Sequence, residues 1–157
     1  MRRKQQYFKT KPNDPIPVSV EVRHRLAFSE VDALAIAWHG QYPRFFEMGH
    51  SALMRKVGLT YENYRKFDIG APIVQCHADY YKPLLLDEEF TIRAELFWSE
   101  GARLNVGYTL IKPNGEISGT GYTTQMFFNA ITHEPFIFTP PLVEDVFQKW
   151  QDGKFYD

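Results

Sequence analysis

The chain has 157 residues, enough for one domain that buries its own core without help from disulfides or metal. A net charge of −1 excludes a general nucleic-acid binder, which carries a basic surplus, and the single cysteine, Cys76, excludes an intrachain disulfide. The aromatic share of 16% is high, which implies a well-filled core, a large subunit interface or an apolar pocket.

Residues 1–17 read as a polar, solvated arm. The arm opens with Arg2, Arg3 and Lys4, and no apolar stretch follows as a secretory signal requires. Together with the lone cysteine, this sets the expectation of a soluble, cytoplasmic protein. No apolar run reaches the length of a membrane span, so no membrane partner is expected. From Val18 to Phe28 apolar and polar residues alternate with the period of a half-buried strand, broken on its apolar face by His24. Ser29 to Gly40 fits neither strand nor helix and reads as a structured loop. From Gln41 to Val57 the period changes. Tyr42, Phe45, Phe46, Gly49, Leu53 and Val57 share one helical face, Pro43 fits the first turn, and Gly58 is the stop. Gly49 costs helix stability, which implies close approach to a sheet or to another subunit. Thr60 to Phe67 predicts a short second helix capped by Thr60.

The remainder reads as strands. Ala71 to Lys82 is stopped by Pro83. Glu88 to Ser99 and Arg103 to Ile111 alternate cleanly around a turn at Glu100-Gly101. Lys112-Pro113-Asn114-Gly115 marks a hairpin. Glu116 to Asn129 predicts one long last strand, with Gly119 and Gly121 placed where another backbone or a ligand comes close. Leu142 to Trp150 predicts a short amphipathic helix. Residues 18–150 form one domain and 151–157 a tail. One helix must cover one face of this sheet, so the class is α+β, with an antiparallel sheet around one long helix.

The chain lacks a Gly-x-Ser-x-Gly nucleophile elbow, a phosphate loop and a dinucleotide fingerprint. Its five histidines lack a metal-ligand spacing, so no metal is expected. Cys76 falls mid-strand and reads as a small buried core residue rather than a nucleophile. Asp32 lies between a strand and a helix. Two readings stay open for it. One is a turn or capping carboxylate. The other is a carboxylate aimed at a site beside the helix N-terminus, where free N–H groups hold developing negative charge.

The segment from Phe28 through Glu30, Asp32, Ala33, Trp38, His39 and Tyr42 to Glu47 resembles the signature of the 4-hydroxybenzoyl-CoA thioesterase family. Asp79-Tyr80-Tyr81-Lys82-Pro83-Leu84 with Asp87, Gly101-Ala102-Arg103-Leu104 and Asn114-Gly115-Glu116 are similar to later parts of that family. The resemblance covers about Val18 to Asn129 and implies the hotdog fold, a curved sheet wrapped around a central helix. It implies that Asp32 acts on an acyl thioester as nucleophile or general base, and that a main-chain N–H at His39 polarises the carbonyl. The His39 side chain orients substrate or Asp32, or is a structural histidine. The family's first acidic position is Glu30 here, and its usual glycine is Ala35, which is strained if that position needs a positive φ.

An acyl slot lined by Tyr42, Phe45 and Phe46 is expected, although an aromatic helical stripe also serves as core. Lys82 and Arg103 are candidate phosphate contacts, set against solvated surface charge. The substrate is expected to be an acyl-CoA or an acyl-carrier-protein thioester, with coenzyme A entering only as part of the substrate and no other cofactor. A homodimer or homotetramer is implied, with sites between subunits. The competing functions are a hotdog hydratase or dehydratase and a non-catalytic acyl-binding subunit.

Overall fold

The alternation that starts at Val18 becomes β1 (Val18–Arg25), and the two clean alternations that follow the helices become β4 (Glu89–Phe97) and β5 (Arg103–Ile111). These are features of a computed structural model, which describes residues 6–156. The helical period becomes α1 (Tyr42–Val57), and α2 (Tyr61–Lys66) follows. The remaining elements are β2 (Ile69–Gly70), β3 (Ile73–Tyr80), β6 (Ile117–Met126), β7 (Phe128–Asn129) and α3 (Pro141–Gln151). Five strands form one antiparallel sheet in the order β1-β4-β5-β6-β3, and β2 pairs with β7 beside it. With α1 laid on this sheet, the architecture is the expected α+β hotdog arrangement.

Register decides which side chains meet the helix. Val18 pairs with Leu96, Leu96 with Val106 and Val106 with Thr123, so the even-numbered positions of β1, β4 and β5 share one face. That face is fully buried at Ile92, Ala94, Val106 and Leu110. Phe46 stacks on Tyr108 with ring centroids 4.6 Å apart. A Cβ on Gly49 would lie 3.0 Å from Ile92 Cγ2 and 3.1 Å from Ala94 Cβ, so the helix glycine serves close approach to its own sheet. Gly121 does the same from the strand side, because a Cβ there would meet the Phe46 ring at 2.4 Å.

Helix ends follow their local chemistry. Gly58 takes φ +84° and donates its N–H to the Met54 carbonyl, while Arg55 and Lys56 oppose the dipole in the last turn. Thr60 caps α2 by accepting the Asn63 N–H at 3.2 Å. The predicted long last strand is broken. Phe127 leaves the sheet, donates to the Ala102 carbonyl at 3.2 Å, and the chain re-pairs as β7.

Two expectations change. Cys76 is exposed, because β3 is an edge strand whose residues are mostly open to solvent. The described part of the arm is not simply solvated. Tyr7 donates its hydroxyl to Asp79 Oδ2 and packs on Tyr122, and Phe8 packs on Phe97 and Tyr122. These residues cover the sheet face opposite α1. Arg2, Arg3 and Lys4, expected to be solvated, lie outside the described residues. No helix among the described residues is long and apolar enough to cross a membrane.

Candidate active site

The loop between β1 and α1 is built from short-range bonds. Glu30 is the anchor. Its Oε1 accepts the Ala27 N–H at 2.7 Å and lies 2.8 Å from His24 Nε2. That explains the histidine in the apolar face of β1: its ring packs against Phe45 and Phe90 while its nitrogen meets a carboxylate. The family's first acid is therefore occupied by structure here, held at 11% side-chain exposure.

Residues 32–36 form a tight turn. Asp32 O accepts the Ala35 N–H at 3.0 Å, and Asp32 N–H donates to Ile36 O at 2.9 Å. Asp32 Oδ1 accepts the Leu34 N–H at 2.8 Å, an Asx turn. Ala35 has φ +58°, the left-handed conformation for which the family's glycine suits. The turn is fastened from outside by Ala37 N–H to Leu84 O at 2.9 Å and Leu86 N–H to Ala35 O at 3.0 Å. The turn reading of Asp32 is met by Oδ1, while Oδ2 has no partner among the described residues.

His39 opens the 3₁₀ turn His39–Gln41 that runs into α1. Its carbonyl accepts the Tyr80 hydroxyl at 3.2 Å, and its exposed ring lies 5.3 Å from that of Trp38. The His39 N–H has no acceptor among the described residues. A free donor at the positive end of a helix suits an anionic oxygen.

The other expected residues separate. Tyr42, Phe45 and Phe46 are 3%, 0% and 1% exposed, so within one chain they belong to the core. Lys82 pairs loosely with Glu116 at 3.7 Å. Arg103 starts β5, whereas the Asp32 loop is fastened near the far end of that strand, about 26 Å away at the rise of an extended chain. One chain therefore does not bring Arg103 to Asp32.

The sequence reading missed a cavity of about 590 Å³ between α1, α2 and the β2–β3 turn. His50, Tyr64 and Gln125 line it. Burial pushes the His50 imidazole down and the Tyr64 hydroxyl up from their usual ranges. His50 sits in the helix pattern between Phe46 and Leu53, and that spacing was the available signal.

The pattern that defines the thioesterase-like superfamily matches residues 26–151. YneP of Bacillus subtilis (strain 168), named as a candidate acyl-CoA thioesterase, is 29% identical over 99 residues, 63% of this chain and 69% of that protein. A DHNA-CoA thioesterase from Staphylococcus aureus superposes with a TM-score of 0.75 at 21% identity, covering 87% of this chain and 93% of that one. The Staphylococcus aureus protein SAV2348, solved in complex with CoA, superposes with a TM-score of 0.76 at 16% identity, covering 88% and 85%. At these identities the two structures speak to the fold.

Proposed function

The chain belongs to the thioesterase-like superfamily, and on that premise we propose that it hydrolyses an acyl-coenzyme A to the free acid and coenzyme A, with Asp32 as the catalytic carboxylate. The observation that carries this reading is the half-tied state of Asp32. Its Oδ1 is fixed by the Leu34 N–H and its Oδ2 is left without a partner among the described residues, in a loop that leads into the His39–Gln41 turn ahead of α1.

In this reading the thioester carbonyl oxygen sits on the His39 N–H, which stabilises the charge that builds on it. Asp32 takes a proton from water as the water oxygen attacks the carbonyl carbon. The tetrahedral intermediate collapses, the carbon–sulfur bond breaks, and the thiolate leaves with the bonding pair. A thiolate is a good enough leaving group to need no acid. A direct attack by Asp32 Oδ2, giving a mixed anhydride that water then opens, uses the same geometry. YneP's name supports a coenzyme A carrier over a carrier protein.

The site is completed by a second copy. Among the described residues β3 ladders with β6 alone and leaves its other hydrogen-bonding edge open, and Ile73 and Val74 on it are 55% and 50% exposed. Leu34 and Trp38, beside Asp32, are also exposed apolar side chains. A two-fold antiparallel pairing of β3 with β3 covers this surface and closes the sheet edge.

Thiol release from a panel of acyl-CoAs, wild type beside Asp32→Asn, tests the function. Release by the wild type and its loss in the variant are expected. Equal rates in both would remove Asp32 from the chemistry, and no release by the wild type would remove the hydrolase reading.

A further inference from the structure

The chemistry above uses none of the groups around the cavity between α1, α2 and the β2–β3 turn. We infer that this cavity binds an anionic, oxygen-bearing end of the substrate, and that it does so for the Asp32 of the second copy. The inference rests on the proposed hydrolase and its β3–β3 pairing.

The cavity has an apolar floor from Met54, Leu59, Ile69 and Phe128. Its polar groups are not equivalent. Gln125 Nε2 donates to the Ala71 carbonyl at 2.7 Å, which fixes Gln125 Oε1 as the acceptor 2.6 Å from His50 Nε2. His50 therefore donates from Nε2, and the pair is satisfied without a ligand. Tyr64 differs. Its hydroxyl is buried and has no hydrogen-bond partner among the described residues. A buried donor without an acceptor is costly, and an oxygen of a ligand relieves that cost.

Charge supplies the sign. Arg55 and Arg65 line the same cavity with exposed side chains, and neither joins an ion pair among the described residues. Two exposed guanidinium groups over an apolar floor, beside a buried phenol that lacks a partner among the described residues, suit an anionic oxygen joined to an apolar body.

Strand direction supplies the place. The cavity includes Gly70, Ala71 and Pro72, at the start of β3, while Tyr80 at the end of β3 bonds to His39 in the Asp32 loop. Antiparallel pairing sets the start of one β3 beside the end of the other. The cavity of one copy then faces the Asp32 loop of its partner. Two parts of an acyl-CoA carry such an oxygen: a carboxylate at the far end of the acyl chain, or a phosphate of the carrier.

Thiol release is measured for wild type, Tyr64→Phe and the double variant Arg55→Gln/Arg65→Gln on three thioesters: hexanoyl-CoA, adipyl-CoA and the phosphate-free hexanoyl-N-acetylcysteamine. A rise in KM of about tenfold confined to adipyl-CoA assigns the cavity to an acyl carboxylate. The same rise for both CoA esters, with none for the N-acetylcysteamine ester, assigns it to the carrier phosphates. No change, or an equal change on all three, overturns the inference while leaving the hydrolase intact. If the wild type turns over none of them, the hydrolase reading fails, and calorimetric titration with CoA and with adipate decides the cavity. Binding to the wild type that weakens in the double variant keeps the anion site. Equal or absent binding in both overturns it.

Discussion

Asp32 holds the N–H of Leu34 on one carboxylate oxygen at 2.8 Å, so the side chain proposed for the chemistry also makes the turn. This relationship sets the design of the first variant. Asparagine keeps an Oδ1 that accepts the same N–H, but it has neither the charge nor the basicity of the carboxylate. Asp32→Asn is therefore expected to unfold within a degree or two of the wild type while its turnover falls about a hundredfold or more. Parallel thermal melts and thiol-release assays on one preparation check both halves. A large fall in melting temperature would assign the loss to the turn instead of the chemistry.

Ala35 gives the second prediction. An L-residue at φ +58° crowds its Cβ against the following carbonyl, and glycine does not. Ala35→Gly is expected to stabilise the protein by about 1 kcal/mol, since the strain relieved exceeds the extra freedom glycine gains when unfolded. Urea unfolding reads this as a higher midpoint at unchanged slope. A lower midpoint would mean the turn carries no such strain.

How much of this was legible in the sequence follows from the range of the interactions. β1, β4, β5 and α1 are set by local periodicity and were readable residue by residue. The strain at Ala35 was legible only as a condition, because it depends on a backbone angle that the fold sets at +58°. Contacts across long sequence separations were not readable. Tyr7 meets Asp79 and Thr120 across the outer face, and no pattern in a Pro-rich basic arm announces that docking. Cys76 has core-like neighbours, yet it lies on the sheet's open edge, and strand order is a property of the whole fold. Tyr42, Phe45 and Phe46 carry the same helical signal whether they line a slot or fill the core. Gly121, by admitting the Phe46 ring against the sheet, shows at one of them the packing that sequence could not.

Glu30 supports the third prediction. Its carboxylate meets His24 and the Ala27 N–H in a largely buried setting. Glu30→Ala leaves both without that acceptor and is expected to cost about 2 kcal/mol. Glu30→Gln, which can still accept one bond, should cost less. Chemical denaturation of the two variants checks the order. If Ala and Gln cost the same, the Ala27 bond contributes nothing.

The last prediction concerns pH and follows from His50. Burial pushes its pKa below the ordinary imidazole value, against smaller opposite effects from the Gln125 hydrogen bond and the Glu47 charge. The unfolded chain then binds this proton more readily than the folded one. Stability contributed by neutral His50 is fully present above the unfolded pKa of about 6.5 and is lost as pH falls below it, by at most about 1.4 kcal/mol per pH unit. The loss stops once the folded pKa is passed. His50→Gln has no proton to bind at this position, so its stability should fall less between about pH 7.5 and about pH 5. Carboxylates elsewhere titrate alike in both proteins and cancel in the comparison. Urea midpoints of the two proteins across this range make the measurement. Parallel curves would mean that His50 takes its proton in the folded protein as easily as in the unfolded chain, and that the Gln125 bond or the Glu47 charge offsets its burial.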